Sequence, residues 1–339
     1  MKYFLFFLIL LSPNYLLANE KIIFATNWVA QREHGGFYQA LADKEYQQCG
    51  IDVEIIQGGP GTNNRAKLVT GKIDLYMGGN LIQLINSRAE NIPIKVLAGF
   101  FQKDPQIIMS HPDSDHKNWE DLKKLSPIYI NDFGLITFYK WLENDHGFSS
   151  EKRRPYQYNS APFLANVNSA QQGYLTSEPY SIKKQIGIEP NIFLLADHGF
   201  DTYATTIEAM EDTINEKPEH IRCFINASII GWNNYLYGDS EKANEIIKFE
   251  NPEITDDKID YSIKNMKKYG IVDSGDTIEN GIGYISLDRI KGFYDTMVKS
   301  GVVKELENIE DVYSVEFISD NIGLDIKKKL LYPSEGLNE

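Results

Sequence analysis

The sequence predicts an α/β protein of two lobes, with the chain crossing between them twice. Three observations carry this. Apolar strand runs alternate with helical patterns between Ile22 and Phe101, the alternation restarts after Asp104, and from Glu219 the pattern turns helical. Such alternation makes a parallel or mixed sheet, whose ligands lie beyond the carboxyl ends of the strands. Residues 20–105 are expected to form the first part of lobe 1, 106–202 lobe 2, 203–325 a mostly helical return to lobe 1, and 326–339 a loose tail. The crossings fall near residues 103–109 and 199–205, and the cleft between the lobes is the natural place for a small molecule.

The opening unit organises the rest. Residues 22–25 are an apolar β-rich run, and Phe37, Tyr38, Leu41, Ala42 and Tyr46 repeat at helical spacing. Between them lies a polar loop with Asn27, Trp28, Glu33 and His34, then Gly35 and Gly36 at the helix start. An indole beyond a first strand can stack on a flat ring while Asn and His orient it. The plainer alternative is a core Trp and a capping Asn. Residues 51–56 form the next strand, 64–70 a helix, 81–90 another helix and 94–101 a strand. Gly58-Gly59 and Gly79-Asn80 close two strand ends beside that of Asn27-Trp28.

In the second half, 107–109 and 128–130 read as strands, the latter ending in Asn131-Asp132-Phe133-Gly134. A helix is expected over 136–145, and Lys152, Arg153 and Arg154 read as a solvated basic turn. The strand starting at Gly173 runs into a polar turn with Glu178 at its tip, where an α/β fold presents functional groups. Helices follow over 219–238, 240–249, 256–269 and 287–300, the first opened by Pro218.

Composition narrows the function. With 34 basic and 48 acidic residues the formal charge is −14, which repels nucleic acid and anionic lipid. Residues 1–18 have the form of a cleavable secretory signal: Lys2, an apolar run over 3–11, Pro13, and Leu16-Leu17-Ala18. The apolar run is too short to span a bilayer, which takes about 20 residues. The mature chain is expected to start at Asn19, in the periplasm. Cys49 and Cys223 are the two cysteines, and neither follows the signal closely enough to take a lipid anchor. An oxidising compartment allows them to pair, but isolated cysteines this far apart are expected to stay unpaired.

No Gly-Lys-Ser/Thr follows the glycines at 58–61, so they are no phosphate loop. His111 and His116 lack metal-ligand spacing and are expected in a solvated loop, and no metal or cofactor is expected. There is no Gly-x-Ser-x-Gly elbow.

Taken together, Asn27-Trp28 with Glu33-His34-Gly35-Gly36-Phe37-Tyr38, Gly58-Gly59-Pro60, Lys72-Ile73-Asp74 with Met77-Gly78-Gly79, the run from Gly173 to Tyr180, and the run from Asp197 to Tyr203 resemble a known family. It is the substrate-binding proteins of ABC importers for thiamine precursors, which share a domain with the fungal thiamine-pyrimidine synthase. The resemblance spans residues 22–318 and includes Gly281-Ile282-Gly283-Tyr284. It implies a type II periplasmic-binding-protein fold that closes over a ligand, a membrane permease and ATPase as partners, and a monomer. Carried over by position, Asn27, Trp28 and His34 form the first-lobe ligand wall, with Gly79 and Asn80 at the neighbouring strand end. Glu178 faces the edge of an aminopyrimidine of the hydroxymethylpyrimidine or formylaminopyrimidine type, Tyr203 lies at the second crossing, and Tyr38 and Phe133 are further ligand contacts. Related members carry riboflavin precursors, sulfonates such as taurine, or nitrate. The synthase is the enzymatic alternative, but it needs a Lys and a His where this chain has Gly78 and Ile82, so a non-enzymatic role is expected.

Overall fold

The computed structural model describes residues 19–319 and 321–332. The expected signal at 1–18 and the end of the tail, 333–339, lie outside the described residues.

Ten strands among the described residues form two five-stranded sheets. The first contains β1 (Glu20–Ala25), β2 (Ile51–Ile56), β3 (Leu75–Asn80), β4 (Ile94–Phe101) and, much later, β10 (Ala204–Met210), in the order β2-β1-β3-β10-β4. The second contains β5 (Gln106–Ser110), β6 (Ile128–Ile130), β7 (Arg153–Pro155), β8 (Ala170–Tyr174) and β9 (Asn191–Leu194), in the order β7-β6-β8-β5-β9. The two share one plan. Three parallel strands lie side by side, and the fourth, β10 or β5, runs antiparallel to both its neighbours. β4 is buried along nearly its whole length, as its unbroken apolar run requires, whereas β2 exposes Asp52 and Glu54 at a sheet edge.

A long helix, Pro218–Tyr237, packs across the first sheet against the helix Gly35–Ala42. Phe24 meets Phe37 at 4.9 Å and Phe224 at 4.8 Å between ring centroids. The helices touch through glycine. A Cβ at Gly36 would stand 2.1 Å from Trp232 Cγ, and one at Gly231 would stand 2.2 Å from the Gly36 carbonyl oxygen. Gly35 and Gly36 thus serve helix packing, with Tyr235 and Trp232 lying over them.

The mostly helical return from residue 203 opens on a strand, β10, which inserts between β3 and β4. Four expectations are corrected here. The basic run at 152–154 contributes β7, an edge strand whose exposed Arg154 faces water. The helix expected over 136–145 begins at Phe138, after a separate turn of helix at Asp132–Leu135. Cys49 and Cys223 are disulfide-bonded, with their Cα atoms 5.8 Å apart, a span that suits the bond. Sequence distance misled, since Cys49 ends the helix Glu45–Gln48, which packs on Pro218–Tyr237. His111 is likewise buried rather than solvated, its Nδ1 accepting the Asp113 N–H at 3.2 Å.

Two segments join the sheets, one between β4 and β5 and one between β9 and β10. Arg289 fastens both. Its Nη1 donates to Gln102 Oε1 at 3.1 Å, its Nε donates to Asp201 Oδ1 at 3.0 Å, and its guanidinium lies 4.3 Å over the Tyr203 ring. Buried Asp104, between β4 and β5, accepts from Gln106 N–H at 3.0 Å and from Asn80 Nδ2 at 3.2 Å, and burial pushes its pKa up to about 6.

Candidate ligand cleft

The first wall is the loop after β1. Thr26 Oγ1 donates to the Trp28 carbonyl at 2.7 Å, and the Gly58 N–H donates to the same carbonyl at 3.0 Å. Asn64 donates to the Thr26 carbonyl at 2.9 Å. A Cβ at Gly58 would fall 2.4 Å from the Asn27 carbonyl carbon, so the turn after β2 can hold this loop only with glycine there. At the end of β3, the position of a Cβ on Gly79 lies 3.4 Å from Asn27 Nδ2 and 4.0 Å from Phe133 Cζ. Asn27, beyond β1, and Phe133, beyond β6, therefore both reach this one glycine. Asn80 caps the helix Leu81–Ala89 by accepting the Ile82 N–H at 3.2 Å.

The second wall is built on the ends of β6, β7 and β8. Asn131, beyond β6, accepts the Gly134 N–H at 2.7 Å and donates from Nδ2 to the Tyr158 hydroxyl at 3.2 Å. Tyr156 and Tyr158, beyond β7, pack with centroids 5.5 Å apart. Tyr158 is 52% exposed and has φ +58°, a left-handed backbone that costs a bulky residue about 1–3 kcal/mol. Its ring meets Trp28 of the other wall at 5.2 Å and 45°.

Glu178 does not sit at the tip of a turn. It opens the helix Glu178–Ile186, with Pro179 in the first turn. Its Oε2 accepts the Tyr174 N–H at 2.7 Å and its Oε1 the Tyr156 hydroxyl at 3.2 Å. Burial raises its pKa, and the Tyr174 N–H pulls the other way.

Deeper in, a polar knot ties three parts of the chain. Buried Arg32 donates from Nε to Ser262 Oγ at 2.7 Å and from Nη2 to the Thr176 carbonyl at 3.0 Å. The Thr176 hydroxyl donates to Glu33, which also pairs with Arg32 at 3.3 Å. The Tyr174 hydroxyl nearby has its pKa driven up by burial and then by the negative charge of Asp104, Glu33 and Glu178.

Of the residues nominated from sequence, Asn27, Trp28, Gly79, Phe133 and Glu178 come together at this cleft, and Asn80 stands just behind it. Three do not. Tyr38 is 2% exposed and packs in the core of the first lobe, where burial and then Glu250 push its pKa up. Tyr203 is fully buried; its hydroxyl accepts the Ser286 N–H at 2.8 Å and donates to Asp276, making it a structural post at the crossing. His34 is fully buried beside Arg32, and burial, then Arg32, push its pKa down to about 3, so it is neutral. Neither of its ring nitrogens has a protein partner. The sequence reading missed Asn131, Tyr156, Tyr158 and Thr176. The signal was there in Tyr156 and Tyr158, two tyrosines two residues apart beyond a strand end.

Among solved structures, the periplasmic aliphatic sulphonate-binding protein SsuA of Escherichia coli superposes with TM-score 0.62 at 13% identity, covering 88% of this chain and 94% of that one. A Candida albicans protein described as having the generic periplasmic binding protein fold gives 0.61 at 16% identity, covering 88% and 96%. The desulfurization enzyme DSZB gives 0.59 at 12% identity, covering 90% and 99%. These establish the periplasmic-binding-protein fold expected from sequence. No curated protein matches this sequence. The family model described as NMT1/THI5 like matches residues 31–243, the stretch that starts just after Trp28 and takes in the Arg32 knot and the second wall, and the chain belongs to the NMT1/THI5-like family.

Proposed function

We propose that this chain is the substrate-binding protein of an ABC importer, exported to the periplasm, and that it captures a thiamine-related aminopyrimidine for a membrane permease and ATPase. One observation carries the reading. Trp28 of one lobe meets Tyr158 of the other directly beside Tyr156 and Glu178. An aminopyrimidine offers flat faces to the two rings and N–H donors to the carboxylate. Capture is then lobe closure: the ligand lies on one wall and the second completes the contacts. The family and the fold support an importer role; the fold alone also serves an enzyme, as DSZB shows.

The backbone favours binding over synthase chemistry. A Cβ at Gly78 would stand 2.0 Å from Glu208 Oε1 and 2.5 Å from Thr206 Oγ1, so a lysine there would displace a buried carboxylate. A sulfonate is the second reading, favoured by the name of the Escherichia coli relative. An anion calls for Arg, Lys or clustered backbone donors, whereas the charged group held by Tyr156 is Glu178.

Glu178→Gln separates the two. Charge-assisted hydrogen bonds are worth about 1.5–3 kcal/mol, so calorimetric affinity for hydroxymethylpyrimidine should fall about ten- to a hundredfold. Taurine should bind the variant no more weakly than the parent. Unchanged pyrimidine affinity in a variant with the parent's melting temperature would remove the chemical basis of the proposal.

A further inference from the structure

We propose that Trp28 and Tyr158 grip opposite faces of a flat, positively charged heteroaromatic ring, with Glu178 as its counter-charge, so that the cleft selects a cation over the neutral form of the same ring. This rests on the ligand class proposed above and adds the charge state and the residue that reads it.

The aromatic grouping is the first support. Trp28, Tyr156 and Tyr158 form a chain of rings with centroids 5.2 and 5.5 Å apart, and a carboxylate bonded to Tyr156 stands at its end. Electron-rich faces beside an anion are the usual surroundings of an organic cation. The wider balance of charge agrees. The charge that bears on both Tyr156 and Tyr158 is that of Glu178, and Asp132, which also bears on Tyr158, is paired with Arg153. Arg32 is already committed to Thr176, Ser262 and Glu33.

Tyr158 is the second support. It holds a left-handed backbone conformation that side chains of its size rarely adopt, yet its ring is half exposed and adds little to the core. Its hydroxyl is steered by Asn131. The backbone strain places the ring where it faces Trp28, with its other contacts, Tyr156 and Asn131, in the same wall. The Trp28 and Tyr158 rings touch at 5.2 Å and tilt by 45°. A ring sandwiched between them needs about 7 Å, twice the roughly 3.5 Å contact distance. A ring held there therefore needs the two walls to stand about 2 Å further apart than this 5.2 Å contact.

The test uses the full processed chain, calorimetry at a pH where hydroxymethylpyrimidine is neutral, and three probes: hydroxymethylpyrimidine, its N1-methylated cation, and taurine. The methylated cation should bind about tenfold tighter than the neutral parent, the size expected of a cation–π contact with a counter-charge. Tyr158→Gly should weaken both pyrimidines about ten- to thirtyfold while melting no lower than the parent, because glycine relieves the positive φ. Tyr158→Phe keeps both faces and should keep the preference for the cation. Equal affinity for the cation and the neutral ring, or full affinity in Tyr158→Gly, overturns this inference and leaves the importer reading standing. Taurine binding with neither pyrimidine bound, or no binding by any probe, overturns both.

Discussion

Arg65→Ala should destabilise the fold by about 3–5 kcal/mol near neutral pH, the usual cost of stranding a buried charge. The charge is Glu208 on β10, whose carboxylate is fully buried. Arg65 reaches it from the helix Asn64–Val69 with two contacts, Nη1 to Oε2 at 2.8 Å and Nη2 to Oε1 at 2.9 Å. The guanidinium also lies 5.1 Å from the Tyr76 ring centroid. The loss should depend on pH in a defined direction. Burial raises the Glu208 pKa above its ordinary 4.5, even though Arg65 pulls it down. A carboxyl with a raised folded pKa contributes stability that falls as pH rises from the unfolded value toward the folded one. Removing Arg65 lets the folded pKa climb further, so the deficit of the variant is full above that pKa. It shrinks as acid neutralises Glu208. Urea unfolding at about pH 7.5 and about pH 5 should show the larger gap between parent and variant at the higher pH. An equal gap at both would mean that Arg65 contributes by packing alone.

The same pair explains what the sequence hid. β1 to β4 are legible because their apolar runs are long and bounded by turn residues. β10 reads Ala-Thr-Thr-Ile-Glu-Ala-Met, with a glutamate and two threonines where a central strand should be apolar. What lets a central strand carry that buried glutamate is Arg65, 143 residues away, and no local pattern records the pairing. β7 is three residues, Arg-Arg-Pro, and its charge suits an edge while defeating a propensity reading. Missing β7 carried a cost at the cleft. Tyr156 and Tyr158 lie just beyond its carboxyl end, where the general rule for such sheets puts ligand contacts. Trp28, Asn27, Gly79 and Phe133 were legible because their strands were. Tyr38 and Tyr203 were misplaced for the opposite reason. They flank legible elements, but their direction is fixed by Pro218–Tyr237 and by Ser286 and Asp276, which pack on them from far along the chain.

Reduction of Cys49–Cys223 should lower stability by about 2–5 kcal/mol and the melting temperature by roughly 10 °C. The bond closes a loop of sequence separation 174, which places it at the upper end of what chain-entropy arguments allow. That loop encloses all of the second sheet, from β5 to β9, together with both crossings. Both cysteines belong to the first lobe, on helices that already pack together. Tyr46 stacks on Phe224 at 5.2 Å and bonds Ser228 at 2.9 Å. The bond therefore ties the early half of that lobe to its return across the inserted second lobe. It acts mainly on the unfolded chain, by limiting how far the two halves separate, and does not shape the cleft. Two readouts should then part company. Cys49→Ser with Cys223→Ser, or the parent in reductant, should melt earlier. Affinity for a cleft ligand at 25 °C should stay within about twofold, since Trp28, Tyr158 and Glu178 rest on other elements. Identical melting with and without reductant would mean the thiols are unpaired in solution. A large fall in affinity would mean the bond sets the position of the first wall as well.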